Sequence, residues 1–154
     1  MKKGLVLNPA EPHHPHVGSG VMTAKYGSIA INSSGDWTPY KALDKHQSNA
    51  VFDTDCCWIF NSLKAWVMLA NIQGFDDFPK DLAERFISVM ANASPEGGDP
   101  WHAGTTFIQD GCVPGSALPF LNNIDNWSEW AHPNPMDSSF ISLAKALLDK
   151  FEPD

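Results

Sequence analysis

The fold is decided by the stretch from residue 55 to residue 72, which reads DCCWIFNSLKAWVMLANI. Lys64 is its only charged residue after Asp55. Apolar residues fall on nearly every side of a helix drawn through this stretch, which is typical of a helix buried at the centre of a domain. Thr54 or Asp55 is the expected N-cap, and Gly74 suits the left-handed conformation that often ends a helix. We therefore predict a buried central helix here.

Three further helices are predicted from apolar periodicity and from end signals. In residues 80–91 and 137–151 the apolar side chains recur at three- and four-residue steps. Residues 100–109 have Asp99 as the expected N-cap, a proline at the first helical position and Gly111 as a stop signal. The side of the 80–91 helix opposite its apolar stripe consists of Lys80, Glu84, Arg85 and Ser88. Strand signals are few, so the predicted fold class is mainly α (α+β).

A cluster of apolar side chains is predicted near the end of the chain, after the loop 112–126. Its members are Phe120, Leu121, Trp127 and Trp130. One interpretation is that they cover a face of the central helix, and the other is that they form an interface with a partner.

The first 35 residues are predicted to form an extended arm. Pro9, Pro12 and Pro15 alternate with His13, His14 and His16. Proline at this density prevents helix formation and favours extended backbone. One apolar alternation, SIAI at residues 28–31, is a candidate edge strand. We therefore divide the chain into an arm, residues 1–35, and a helical domain, residues 36–154.

Composition and charge limit the classes of partner. The chain has 154 residues, of which 43% are hydrophobic, so it is long and apolar enough for one domain with a sizeable core. Its net charge of −8 argues against binding to a nucleic-acid backbone or to an anionic membrane. The arm histidines resemble transition-metal ligands, but a proline-rich arm gives them no fixed geometry, so we predict neither a metal nor a cofactor.

The cysteines and the N-terminus indicate a protein that is not secreted. Cys56 and Cys57 are adjacent, and a bridge between neighbours is strained, so three cysteines form no disulfide framework. This usage fits a reducing compartment. The apolar residues 5–7 are too few for a signal peptide, and no apolar run approaches transmembrane length.

Cys57 is the candidate nucleophile because it lies in the first turn of the predicted central helix. The backbone N–H groups there carry the positive end of the helix dipole and stabilise a thiolate. A cysteine in a helix is more often only a small buried apolar residue.

The surroundings of Cys57 resemble papain-like cysteine peptidases. Residues 57–60, CWIF, resemble the Cys-Trp-Ala-Phe signature at the nucleophile of that family. Further matches follow in the same order: DWTP at 36–39, Gln47, GGDPWHA at 97–103, GCV at 111–113 and LPF at 118–120. SPEG at 94–97, LPF at 118–120, Trp127 and PNPM at 133–136 are also similar to papain-like proteins of tailed bacteriophages, a resemblance that covers about residues 40–154. The resemblance implies the helical lobe of a papain-like fold, located in the host cytoplasm or in a phage particle.

The resemblance also implies roles for individual residues. Cys57 would be the nucleophile of acyl transfer through a thioester, usually peptide hydrolysis, and Gln47 an oxyanion-hole donor. The spacing of ten residues between them is longer than the family's. Residues 51–56 lack the family's glycines, and Asp53 and Asp55 disfavour a thiolate.

The largest departure of this sequence from the papain-like pattern concerns the catalytic base. In the family the catalytic histidine and its asparagine lie in a second, strand-rich domain, which has no counterpart in these 154 residues. His132, with Asn134 close by, is the best internal candidate for the base, and its other interpretation is an exposed loop residue.

We therefore expect a pseudoenzyme, a papain-like domain that is catalytically incomplete as given and serves as a structural or binding module, for example in a phage virion. A protein partner or a second copy is expected to cover the exposed face of the lobe. The alternative is an active thiol peptidase completed by a partner chain or by a further C-terminal segment.

Overall fold

A computed structural model describes residue 36 and residues 38–131, 136 and 138–151 of the chain. A short 3-10 turn and five α-helices follow one another in these ranges. They are the turn Thr38–Tyr40 and the helices α1 (Cys57–Ile72), α2 (Glu84–Met90), α3 (Pro100–Asp110), α4 (Trp127–Ala131) and α5 (Ser138–Phe151). The described residues form no β-strand, only isolated bridges, so the mainly α class is confirmed.

The predicted arm, residues 1–35, lies outside the described residues, and so does its candidate edge strand at 28–31. Within the described ranges, no helix combines the length and the apolar character needed to cross a bilayer.

Helix α1 lies at the centre of the fold, with α2 and α3 both packed against it. Its buried side chains are Trp58, Ile59, Phe60, Leu63, Val67 and Ala70. Ala65 and Leu69 are exposed, so the helix is central without being buried on every side. Its last residue is Ile72, and Gly74 follows with the left-handed φ of 78° that the sequence predicted.

The start of α1 differs from the prediction. Asp55 has a φ of 52°, in the left-handed region, and a residue in that region cannot belong to a right-handed helix. The helix therefore begins at Cys57, and its N-cap is Cys56, which makes no side-chain capping hydrogen bond. The expectation of Thr54 or Asp55 as the N-cap was wrong.

Helix α2 also begins later than predicted, at Glu84 instead of residue 80. The backbone N–H of Ala83 donates to the carbonyl of Val113 at 2.9 Å, and Leu82 forms a bridge with Pro114. These contacts with a distant segment hold Ala83 in extended backbone, with ψ at 103°, so the helix cannot start before it.

The polar side of α2 is buried, although its composition resembles a solvent-exposed face. Glu84, Arg85 and Ser88 expose only 4%, 8% and 1% of their surface. Lys45 Nζ lies 2.6 Å from Glu84 Oε2 and 2.6 Å from Asp81 Oδ1, and it donates to the Leu82 carbonyl at 3.0 Å. Burial is possible because these charges are paired.

Arg85 joins α2 to α4 and to the loop before it. Its guanidinium donates to the backbone carbonyls of Trp130 at 3.3 Å, Pro119 at 3.1 Å and Glu129 at 2.6 Å. It also lies 5.8 Å from the centre of the Trp130 ring. The end of a helix leaves carbonyls without intrahelical partners, and Arg85 satisfies two of them.

The predicted apolar cluster covers one face of α1. Trp130 is fully buried, stacks on Phe60 of α1 at 6.0 Å and meets Phe120 edge-on at 4.7 Å. Trp127 is only partly buried against the same core, and Leu121 is 51% exposed and does not belong to the cluster.

Helix α3 has the ends that the sequence predicted. Asp99 accepts a hydrogen bond from the Trp101 N–H at 2.9 Å, Pro100 is the first helical residue and Gly111 follows the last. Gly111 has φ 73° and ψ −160°, a conformation open essentially to glycine alone. Helix α5 crosses at this point, and a Cβ on Gly111 would overlap the backbone carbonyl of Ala144.

Gly111→Ala is therefore expected to lower the free energy of unfolding by about 2 kcal/mol, since it combines backbone strain with overlap against α5. The matched control is Gly104→Ala inside α3, where a Cβ has nothing within 4 Å. That change should raise stability by about 0.5–1 kcal/mol because alanine is the better helix former. Urea denaturation of both variants measures the difference, and equal effects would contradict the close α3–α5 contact.

Candidate functional site

The segment before Cys57 is a tight loop, residues 47–54, that is closed on itself. The Thr54 N–H donates to the Gln47 carbonyl at 3.1 Å, and the Asn49 N–H donates to the Phe52 carbonyl at 2.9 Å. The Asn49 side chain also donates to the Ile124 carbonyl at 2.7 Å. The loop is thereby anchored to the segment that precedes α4.

Gln47, the predicted oxyanion-hole donor, lies at the base of this loop. Its Nε2 donates to Asp53 Oδ1 at 2.9 Å, and the same oxygen accepts the Asp55 N–H at 2.9 Å. The structure therefore brings Gln47 to the segment that leads into α1. Its amide is engaged by a carboxylate, and no hydrogen bond joins it to Cys57.

Asp53 is the residue of this loop whose role sequence reasoning missed. The sequence indicates only a charge that disfavours a thiolate, whereas in the structure the Asp53 carboxylate organises the turn into α1. The available signal was the Asp-x-Asp pattern at 53–55, because aspartate side chains commonly accept the N–H two residues on.

Asp55 makes the sharp turn that sets the direction of α1. Its φ of 52° is left-handed, which costs a non-glycine residue about 1 kcal/mol and is best tolerated by Asp and Asn.

The three cysteines have different access to solvent. Cys56 and Cys112 are fully buried, whereas Cys57 is half-buried. Burial raises the pKa of the Cys56 thiol to about 11, although Ser88, whose hydroxyl donates to it at 3.9 Å, and Thr54 act in the opposite direction. Burial likewise raises the pKa of Cys112 to about 12. Of the three cysteines, only Cys57 has appreciable exposure to solvent.

The first turn of α1 carries no cap, and two aspartates, Asp53 and Asp55, come just before it. Neither a side-chain cap nor an acidic residue occupies its first turn. The backbone N–H groups of this turn therefore have no acceptor from a side chain inside the helix.

The GGDPWHA segment, residues 97–103, packs beside this end of α1. Trp58 is 2% exposed, and a Cβ on Gly98 would overlap its ring. The ring of His102 stacks on Trp58 with their centres 6.2 Å apart. His102 is thus a packing neighbour of the residue after Cys57, and no hydrogen bond joins it to the thiol.

Within the described residues no base is hydrogen-bonded to Cys57. The thiol makes no hydrogen bond or ion pair there. His132 and Asn134 lie outside the described residues, so the predicted base stays a prediction. In the part of the chain that the structure describes, no group of three His, Cys, Asp or Glu residues is arranged to hold a metal ion.

The geometry thus provides a partly exposed cysteine at the first position of α1 and, on Gln47, a carboxamide that is engaged by Asp53. Comparison with known proteins found no matching family model, no matching curated protein and no matching solved structure. The functional interpretation therefore depends on this geometry and on the resemblance of residues 36–120.

Proposed function

We propose that the chain is a papain-like helical lobe that keeps the position of the nucleophile but lacks a complete catalytic apparatus, and that it acts as a structural or binding module. The observation that carries the proposal is the state of Cys57. It is the accessible first residue of the central helix, yet within the described residues its thiol has no hydrogen-bonded base. A thiol needs such a partner to act as an efficient nucleophile.

The state of Gln47 supports the same conclusion. An oxyanion-hole donor must point its N–H at the oxygen that becomes charged in the transition state. Here Nε2 donates to Asp53, whose carboxylate would also repel a developing oxyanion. The resemblance of about residues 40–154 to papain-like proteins of tailed bacteriophages favours a role in a phage particle.

The alkylation rate of Cys57 tests this proposal. Without an imidazole partner, its rate with iodoacetamide should fall roughly tenfold for each pH unit below neutrality, because only the thiolate reacts. Mass spectrometry locates the label, and Cys57→Ser is the control that removes it. We also expect no hydrolysis of a fluorogenic casein above that of Cys57→Ser.

A different pair of results would contradict the proposal of a catalytically incomplete site. A rate that stays level into acid pH, together with hydrolysis that needs Cys57, would show an active thiol peptidase. The same measurements on His132→Ala would then decide whether His132 supplies the base. Loss of both the level rate and the hydrolysis in that variant would overturn the proposal of an incomplete site.

A further inference from the structure

The tip of loop 47–54 is held against the short segment that leads into α4. The Asn49 amide donates to the Ile124 carbonyl at 2.7 Å. A few residues away the Phe52 ring meets the Phe120 ring edge-on, with the ring centres 6.4 Å apart. These two contacts fix the loop and the segment side by side.

Two exposed aliphatic side chains lie at this junction. The Asn49 side-chain oxygen accepts the N–H groups of Val51 and Phe52, each at 2.9 Å, so the backbone turns sharply and Val51 lies at the tip of the turn. Val51 exposes 71% of its surface, and Leu121, which directly follows Phe120, exposes 51%. Because each is next in sequence to one ring of the Phe52–Phe120 contact, we treat Val51 and Leu121 as one apolar area and call it the loop-tip patch.

Exposed carboxylates border the loop-tip patch. Asp53 directly follows Phe52 on the loop, and Asp125 directly follows Ile124 on the segment. The Asp125 N–H donates to Glu129 Oε2 at 3.4 Å, so the Glu129 carboxylate lies beside Asp125. All three acidic residues are exposed. An apolar centre with a charged rim is the usual anatomy of a protein interface.

The charge on the two segments that carry the patch has one sign. Residues 46–63 and 112–131 contain four acidic residues and no Lys or Arg. Arg85 contacts the second of these segments, but it is only 8% exposed and its guanidinium donates to three backbone carbonyls. The amide of Gln47, which donates to Asp53, is neutral and leaves the charge of that carboxylate in place. The rim of the patch is therefore negative.

We propose that the loop-tip patch and its acidic rim dock a basic segment of a partner protein that also carries aliphatic side chains. An aliphatic side chain of the partner lies on Val51 and Leu121, and its Lys or Arg side chains lie beside Asp125 and Glu129. Charges of opposite sign speed the encounter and exclude wrong partners. This inference rests on the proposed function as a binding module and names the surface and the class of partner.

A second copy of the chain fits this surface less well. A two-fold pair of copies uses the same patch on both, so the same carboxylates would face each other. Each copy also carries a net charge of −8. Repulsion between the copies therefore opposes self-association through the patch.

The binding of three short peptides to the full chain with Cys57→Ser tests the proposal. The fluorescein-labelled peptide GKLKLKG carries both basic and aliphatic residues, GKSKSKG keeps only the charge, and GELELEG reverses the charge. Fluorescence anisotropy is measured at low salt, where surface charges are least screened. The Kd of GKLKLKG should be about fivefold lower than that of GKSKSKG, and GELELEG should not bind.

Two double variants of the chain locate the binding site. Val51→Ser with Leu121→Ser removes the apolar area. Asp125→Asn with Glu129→Gln removes two charges and keeps oxygen acceptors in their place. Each double variant should raise the Kd of GKLKLKG about fivefold. Circular dichroism of each variant verifies that the fold is unchanged.

The matched controls change the same residue types elsewhere on the surface. Asp76 and Asp77 are exposed and follow the C-terminal end of α1, about 24 Å along the helix from Cys57. Asp76→Asn with Asp77→Asn removes the same net charge as the rim variant. Leu43, which is 57% exposed, supplies the apolar control Leu43→Ser. Neither control should change the Kd by more than about twofold.

Three results would overturn the proposal. Equal affinity for GKLKLKG and GKSKSKG would mean that only the net charge attracts the peptide. Equal weakening by the control variants would mean that the binding has no fixed place. No binding of GKLKLKG at about 1 mM would mean that the patch does not dock such a segment.

The same peptide separates this inference from the proposed function. Cleavage of GKLKLKG by the unsubstituted chain but not by Cys57→Ser, read by mass spectrometry, would overturn the proposal of a catalytically incomplete site. Absence of binding without cleavage would overturn the docking surface alone.

Discussion

Lys45→Met is expected to lower the free energy of unfolding by about 3 kcal/mol at neutral pH, because it leaves a buried carboxylate without its partner. Lys45 Nζ lies 2.6 Å from both Glu84 and Asp81, and the Glu84 side chain is only 5% exposed. Thermal or urea denaturation measures the loss.

The matched control is Lys41→Met. Lys41 makes an ion pair with Asp44 at 2.8 Å, but both side chains are more than half exposed. Exposed pairs contribute little, so this substitution should cost less than about 0.5 kcal/mol. Similar losses in the two variants would contradict the structural role assigned to the buried cluster.

The loss in Lys45→Met should also depend on pH. Burial already raises the pKa of Glu84 above its ordinary 4.5, against the attraction of Lys45. Without Lys45 this pKa rises further, and the folded protein binds a proton that neutralises the buried charge. The free energy of unfolding lost in Lys45→Met is therefore largest at neutral pH. The loss shrinks as the pH falls through the pKa of Glu84 in the folded variant, towards the pKa of Glu84 in the unfolded chain.

The ammonium group of Lys45 makes the stability of the unsubstituted protein depend on pH in the alkaline range. Burial lowers the pKa of Lys45, but the carboxylates of Glu84 and Asp81 outweigh it and hold the pKa above the ordinary 10.5. Its contribution to stability is therefore complete below the pKa of an unfolded lysine and is lost as the pH rises through the pKa of the folded lysine.

The measurement that checks Lys45→Met is urea denaturation between pH 4.5 and pH 7. A loss of unfolding free energy that stayed constant over this range would contradict the protonation of Glu84 in the variant.

Trp130→Ala is expected to cost about 3–5 kcal/mol, the range for removing a large aromatic side chain from a core. Trp130 is fully buried between Phe60 and Phe120 and beneath the Arg85 guanidinium. The change removes the ring on which α4 docks against α1, so both the midpoint of urea denaturation and the near-ultraviolet circular dichroism should change.

Trp127→Ala provides the comparison on the same helix. Trp127 is the same residue type three positions earlier in α4, but it is only partly buried. We expect a loss of about 1 kcal/mol, since less apolar surface is transferred to water. If both tryptophans cost the same, Trp130 would not be the residue that anchors α4.

Local signals were sufficient for some of the fold. Asp99, Pro100 and Gly111 set both ends of α3 through groups within a few residues, so the sequence predicted this helix correctly. The apolar character of residues 55–72 likewise predicted the central position of α1.

Contacts between distant segments explain what the sequence did not predict. Ala83 is held extended by Val113, thirty residues away, and no local pattern indicates that hydrogen bond. Glu84 and Arg85 appear as a polar side of α2 because their partners, Lys45 and the α4 carbonyls, come from other parts of the chain. Periodicity distinguishes apolar from polar residues, but it cannot distinguish a solvated charge from a paired one.

In the candidate site, too, local sequence signals predicted one feature and contacts made on folding determine another. The position of Cys57 at a helix N-terminus was predictable from the helix pattern alone. The engagement of Gln47 by Asp53 was not, because it depends on how loop 47–54 closes. The role of His132 stays a prediction, since it lies outside the described residues.

Because the three cysteines are unequally buried, the rates at which their thiols are labelled report local unfolding of the protein. Cys56 lies where α1 meets Ser88 of α2 and Trp130 of α4, and Cys112 lies in the segment after α3. A reagent reaches these two thiols only when the structure around them opens, so each labelling rate measures the free energy of a different opening. Cys57 is partly exposed and is labelled first, so its labelling rate is the reference with which the slower rates of Cys56 and Cys112 are compared.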